Sequence, residues 1–417
     1  MPPVRTASSA QRPAPGPTAA TPPAGAAPGR RVPDGLLLTV IALCTAVTAA
    51  NIYLAAPLLS LIAKGLGTSP TAAGWLASVS QLGYAAGLLL FAPLGDTADR
   101  RRLVGILSAV AGLALVAAGV APGLPALAAA LLVACAATVV PQLLVPLVAE
   151  RAPAARRGRH LGAVVAGLFT GVVAARVLGA MAGQAYGWRA VFLGAAGLTV
   201  LVGLITAALL PAETRPSVPG NPLRGIARVP RVLADSAELR RACLRQGAMY
   251  GAWSALWTAL VRLLTDAPYH YSTATAGLFG LFGLTASVIA PLSGGLVDRF
   301  GGNRVVSASY AAAALSVPLF WLGGRHQLWA LCAAAVLVHA GLVAGQVANQ
   351  SRALTATGTP ATANTAYVVA AFLGGATASA LTGPAFDRAG WNGVCALAAV
   401  ILLIGWSAAA RRPAGTR

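Results

Sequence analysis

From residue 36 onward the chain is a succession of long apolar runs separated by short polar or turn-rich breaks. The runs occupy approximately 36–62, 72–95, 103–121, 126–149, 161–185 and 189–210, then 243–264, 273–297, 305–323, 328–351, 363–386 and 392–410. A bilayer core of about 30 Å takes about 20 apolar residues in a helix, so each run is long enough to cross one. The breaks carry turn chemistry, as in Gly65-Leu66-Gly67-Thr68-Ser69-Pro70 and Pro122-Gly123-Leu124-Pro125. The pattern predicts an all-α membrane protein with twelve transmembrane helices. The longest polar interval, 211–241, holds Pro211, Pro216, Pro219, Pro222 and Pro230 among its arginines and reads as a linker. It separates two six-helix bundles, 35–210 and 242–410. Residues 1–34, rich in Pro, Ala and Arg, are expected to form a disordered tail, and 411–417 a short C-terminal one.

Composition supports this solvent assignment. Hydrophobic residues make up 57% of the chain and charged residues 10%, against about 25% charged in soluble domains. The net charge of +20 raises the alternative of nucleic-acid binding. Such binders gather their basic residues on one solvated face, whereas here they fall in every second break. With the N-terminus placed in the cytoplasm, 24 of the 30 basic residues lie in cytoplasmic segments and four (Lys64, Arg189, Arg325, Arg388) on the other side; Arg176 and Arg262 lie inside runs. That bias predicts a multi-pass protein of the cytoplasmic membrane with both termini inside, and no nucleic-acid partner. The five cysteines sit singly, without metal-ligand or disulfide spacing, so neither metal nor cofactor is expected.

The two halves repeat. Ala92-Pro93-Leu94-Gly95-Asp96, ending in Arg100-Arg101-Arg102, follows the second run; Gly294-Gly295-Leu296-Val297-Asp298-Arg299-Phe300-Gly301, ending in Arg304, follows the eighth. Gly187-Trp188 pairs with Gly390-Trp391, and Gln142 with Gln346, at offsets of 202–204 residues. A repeat of that length means a duplicated bundle with an axis along the membrane normal. Six plus six helices, with Gly294, Asp298, Arg299 and Gly301 in a Gly-x-x-x-Asp-Arg-x-Gly signature, resemble the major facilitator superfamily. Asn51-Ile52-Tyr53, Pro57-Leu58-Leu59 and Gln81-Leu82-Gly83-Tyr84 look like its drug-efflux and sugar- or nucleoside-efflux branch. Two features depart from proton antiporters of that branch: no Arg lies between Ala136 and Gln142, and run five reads Gly171-Val172-Val173-Ala174-Ala175-Arg176. The resemblance implies alternating access, with Asp96, Arg100, Arg101, Asp298 and Arg299 as gating residues that lock the halves.

Charges within a bilayer are costly unless paired or solvated, so each one is a functional candidate. All ten acidic residues fall at run ends or in breaks. Arg176, about fifteen residues into run five, offers a planar fork of donors to an anionic or polar substrate, or else satisfies a structural neighbour. His339, central in run ten, is the proton-coupling candidate, because its ordinary pKa lies near physiological pH; a neutral, hydrogen-bonded imidazole is the alternative. Gln346 and Gln350 share its helical face. Asn51, Tyr53, Tyr84 and Gln142 add neutral polar groups at depth. Trp253 and Trp257, four apart, either line the substrate path or pack. Arg262 and Asp266, also four apart, form a simple local ion pair.

These features predict a monomeric secondary transporter in lipid, exporting a small organic solute with protons as the candidate coupling ion. A facilitator or importer without proton coupling is the first rival, and a receptor without transport the next. An enzyme would need a His, Asp or Glu cluster that the scattered histidines and peripheral carboxylates do not form, and no Walker-type motif is present for ATP hydrolysis.

Overall fold

In the computed structural model the described residues are 34–96, 98–151, 157–210, 222–355 and 360–410. The expected tails and the start of the linker lie outside them. Among the described residues there is no strand. The α-helices are α1 (Asp34–Tyr53), α2 (Leu59–Leu66), α3 (Pro70–Phe91), α4 (Arg100–Gly119), α5 (Leu124–Ala137), α6 (Val140–Arg151), α7 (Arg157–Leu209) and α8 (Pro222–Asp235). They continue with α9 (Ala237–Thr265), α10 (Thr273–Gly277), α11 (Leu284–Phe300), α12 (Gly302–Gly323), α13 (Leu328–Thr355) and α14 (Pro360–Ala410).

Nine helical stretches among the described residues are apolar and long enough to cross a membrane, and two of them run to 47 and 46 residues. Those two, in α7 and α14, are about twice a single span. Each changes direction at a Gly-Trp break: at Gly187 (φ 82°, ψ 158°) in α7, and at Ala389 and Gly390 (φ 56°) in α14. Positive φ costs glycine nothing because it has no Cβ to clash. Other runs are subdivided. The fourth is split into α5 and α6 around Thr138, three residues before Pro141, and the eighth passes from α10 through a 3₁₀ stretch, Leu278–Gly283, into α11. Helix α9 starts at Ala237, capped by the Ser236 hydroxyl on the amide of Leu239, six residues before its apolar run. Helix α8, within the linker, was not predicted by the apolar pattern; it packs on α9 and α14.

The halves of the chain before and after residue 229 pack mostly around different cores, two bodies that share Val369 of the second half in the core of the first. Ile41, Leu107, Leu143 and Val202 pack together, and next to them Leu58, Leu115, Leu131 and Phe192; after residue 229 a separate core holds Met249, Leu256, Phe320, Leu331 and Val394. Within each body small residues let backbones touch: a Cβ at Gly171 would fall 1.9 Å from the Ala46 carbonyl oxygen. Leucines such as Leu113 (71% exposed) and Leu403 (66%) cover the outside. Lipid tails are as apolar as leucine, so this surface is stable only in a bilayer. The bodies meet along two seams: α3 against α14, and α7 against α10, the 3₁₀ stretch and α11.

Candidate functional site

Between the bodies lies a cavity of about 250 Å³. Of the ten residues predicted to form a substrate path, eight line it: Tyr53, Tyr84, Gln142 and Arg176 from the first half, and Trp253, His339, Gln346 and Gln350 from the second. Asn51 does not. It is buried and its amide donates to the Thr199 hydroxyl at 3.0 Å, tying α1 to the second arm of α7. A buried amide needs a partner, and the partner lies inside the first body rather than between the two. Trp257 also misses the cavity. It stacks behind Trp253 at 5.9 Å between centroids, 15° from parallel, and lines a smaller void on the side away from the termini.

Arg176 is the one charged residue among those lining the cavity, and among the described residues no carboxylate lines it. Its guanidinium carbon sits 4.7 Å from the Trp253 ring, 4.9 Å from Trp257 and 5.5 Å from Tyr53. The residue is 4% exposed, and its Nε has no hydrogen-bond partner among the described residues. Aromatic faces attract the cation, but they accept none of its in-plane hydrogen bonds.

His339 contacts the same aromatic group. Its ring stands edge-on to Trp257 (4.7 Å) and Trp253 (5.9 Å). The Trp253 indole N–H donates to Nε2 at 3.2 Å, and Nδ1 lies 2.8 Å from the Ala335 carbonyl. An indole can only donate, so Nε2 is an acceptor; Nδ1 then carries the hydrogen that the carbonyl takes. The imidazole is in its neutral Nδ1–H form, and a second proton can reach Nε2 only by displacing Trp253.

Several residues of the site were missed by sequence reasoning. Gln246 and Tyr250 line the cavity with Trp253, and the positions 246, 250 and 253 give the i, i+4, i+7 signal of one helical face that could have identified them. Tyr250 meets Tyr53 hydroxyl to hydroxyl at 2.8 Å across the seam. Tyr84 and Tyr250 lie 4.5 and 5.1 Å from Phe372. Further from the termini, Gln81 Nε2 donates to the hydroxyls of Ser254 (2.8 Å) and Ser379 (3.1 Å), which also bond each other. Only tertiary packing juxtaposes these residues.

The face away from the termini is closed by the same two seams. The Thr71 hydroxyl donates to Asp387, whose other oxygen accepts from Arg262 at 3.1 Å. The predicted pair of Arg262 with Asp266 is present at 3.6 Å, longer than the bond to Asp387. On the other seam the Ala274 amide donates to Gln184 at 2.8 Å. In the opposite direction the lining reaches Gln350 and Asn364, bonded at 2.7 Å near the ends of α13 and α14. Of the predicted gating residues, Asp298 and Arg299 are exposed there and Arg299 lies over the Phe300 ring. Arg101 is exposed, its amide capped by Asp99, and Arg100 is 1% exposed. The Asp96 side chain is outside the described residues.

Residues 41–261 match the Major Facilitator Superfamily. A probable transporter of Streptomyces coelicolor, SCO4007, is 65% identical over 405 residues, covering 96% of this chain and 94% of that protein. The chain belongs to the Major Facilitator Superfamily. Other likenesses fit this membership. The putative uncharacterized transporter YgaY of Escherichia coli is 30% identical over 374 residues, covering 88% of this chain and 93% of that protein. Among solved structures, a bacterial homolog of the human lysosomal transporter Spinster, in an inward-facing and occupied conformation, superposes with a TM-score of 0.69 at 15% identity, covering 93% and 96% of the two chains. The nucleoside transporter NupG gives 0.72 at 12% identity, covering 90% and 97%. Superfamily membership makes the chain a multi-pass membrane transporter of a small molecule.

Proposed function

We propose that this superfamily member is a secondary transporter that exports a small organic solute across the cytoplasmic membrane by alternating access, coupled to protons through His339. In this reading the helices make twelve crossings as two six-helix bundles, with α7 and α14 each supplying two, and the termini are cytoplasmic by the 24-to-4 charge bias. The observation that carries it is a cavity between the halves, sealed on the face away from the termini and lined toward the terminal face. This is the expected shape of the state that loads from the cytoplasm; rocking about the buried seam then presents the solute to the other side. His339 supports coupling because a proton at Nε2 must break its bond to Trp253, a cavity wall. Asp298 and Arg299, exposed here, would meet partners as the terminal face closes.

The same neutral imidazole, together with the lack of a described carboxylate in the cavity, favours one rival: a facilitator that needs no proton. Purified protein in liposomes separates the two. Labelled-solute accumulation driven by an imposed pH gradient, collapsing when the gradient is dissipated, is the expected result. Accumulation indifferent to the gradient would support the facilitator, and binding with no movement a receptor.

A further inference from the structure

The cavity contains one fixed charge, Arg176, and nothing described there neutralises it. We propose that the transported solute is an organic anion, an aromatic or amphipathic carboxylate whose acid group pairs with Arg176. The inference rests on the reading of the cavity as the transport site and adds the chemistry of what fills it.

A cation withdrawn from water this completely is strongly disfavoured without a counter-charge. The three aromatic rings around the guanidinium offset part of that, but they carry no counter-charge and leave its buried Nε donor without a partner among the described residues. A carboxylate fits there, because its two oxygens accept in the plane of the fork. Every other polar side chain lining the cavity is neutral, Gln142, Gln246 and Gln346 among them, so no competing anion is described and a cationic solute would be repelled. Beyond Arg176 the wall is aromatic: Tyr84 and Tyr250 each lie against Phe372, at 4.5 and 5.1 Å between ring centroids, and offer a surface for a flat apolar body.

The full-length protein in lipid nanodiscs can be titrated calorimetrically with three probes of one shape: 2-naphthoate, 2-naphthamide and 2-naphthylmethylammonium. Naphthoate is expected to bind about 10- to 100-fold more tightly than the amide, the range for hydrogen bonds to a charged group, and the ammonium not to bind. Arg176→Gln should erase the difference. Arg176→Lys, which keeps charge without the fork, should preserve a reduced preference and so guards against Arg176→Gln failing to fold. Equal binding of acid and amide by the unaltered protein overturns the proposal, as does a preference that survives in folded Arg176→Gln. Exchange assays in liposomes keep the two readings apart. Exchange of neutral or cationic solutes, with no binding of naphthoate, would remove the anion and leave transport standing. Naphthoate that binds through Arg176 but never exchanges would remove transport and leave the anion site.

Discussion

At His339 the ring is held from both sides, by the Trp253 indole and the Ala335 carbonyl. If its protonation couples transport, His339→Ala should abolish gradient-driven accumulation in liposomes while solute exchange at zero gradient persists; unchanged active transport in that variant removes His339 from the mechanism. Gln81 is a different kind of residue, a neutral donor 6% exposed that joins α3 to α9 and α14. Gln81→Leu removes two bonds across the seam and leaves Ser254 and Ser379 paired with each other. At about 0.5–1.5 kcal/mol per bond, opening of the face away from the termini should become about 5- to 150-fold more favourable. Pulsed EPR distances between labels on Lys64 and His270, exposed in the two halves on that face, measure this. An unchanged distance distribution would mean that Gln81 does not hold the seam.

At the scale of elements, the 3₁₀ stretch Leu278–Gly283 explains how α7 comes so close to the second half. With three residues per turn, positions i and i+3 eclipse, and Gly277, Gly280 and Gly283 fall on one side. A Cβ at these positions would lie 2.3 Å from the Ala180 Cβ, 2.6 Å from the Arg176 Cβ and 3.1 Å from Val173 Cγ2, respectively. The seam that positions Arg176 therefore depends on absent side chains. Gly280→Val should overpack it by about 1–3 kcal/mol, disfavour the closed face by the corresponding 5- to 150-fold or so, and cut solute exchange; wild-type exchange with an unaltered EPR distance would refute this contact's role. The sequence shows those glycines only as part of an apolar run, because a short 3₁₀ segment leaves no distinct hydrophobic period.

For the whole molecule, closure of the face away from the termini combines buried neutral bonds with an exposed ion pair. Asp387 and Arg262 are 46% and 27% exposed at the side chain, and pairs in water contribute about 0–1 kcal/mol and weaken with salt. Asp387→Asn should therefore shift the EPR populations less than Gln81→Leu does, and molar salt should change the wild type but hardly the variant. A larger effect from Asp387→Asn would place the main lock at the surface. The linker helix α8, packed on both α9 and α14, belongs to this scale as well.

Much of the protein could be read before any coordinate. Apolar run length against bilayer thickness determined the solvent and the helical class, because every backbone group in lipid must be bonded within its own segment. Sparse charge likewise singled out Arg176 and His339, since ionisable groups at depth are rare. Which polar residues face the cavity was a tertiary decision. Asn51 and Tyr53 are two residues apart, yet one bonds Thr199 inside its own body and the other bonds Tyr250 across the seam. Helical spacing says which side of a helix a residue occupies, but only the packing of the two bodies says what that side meets.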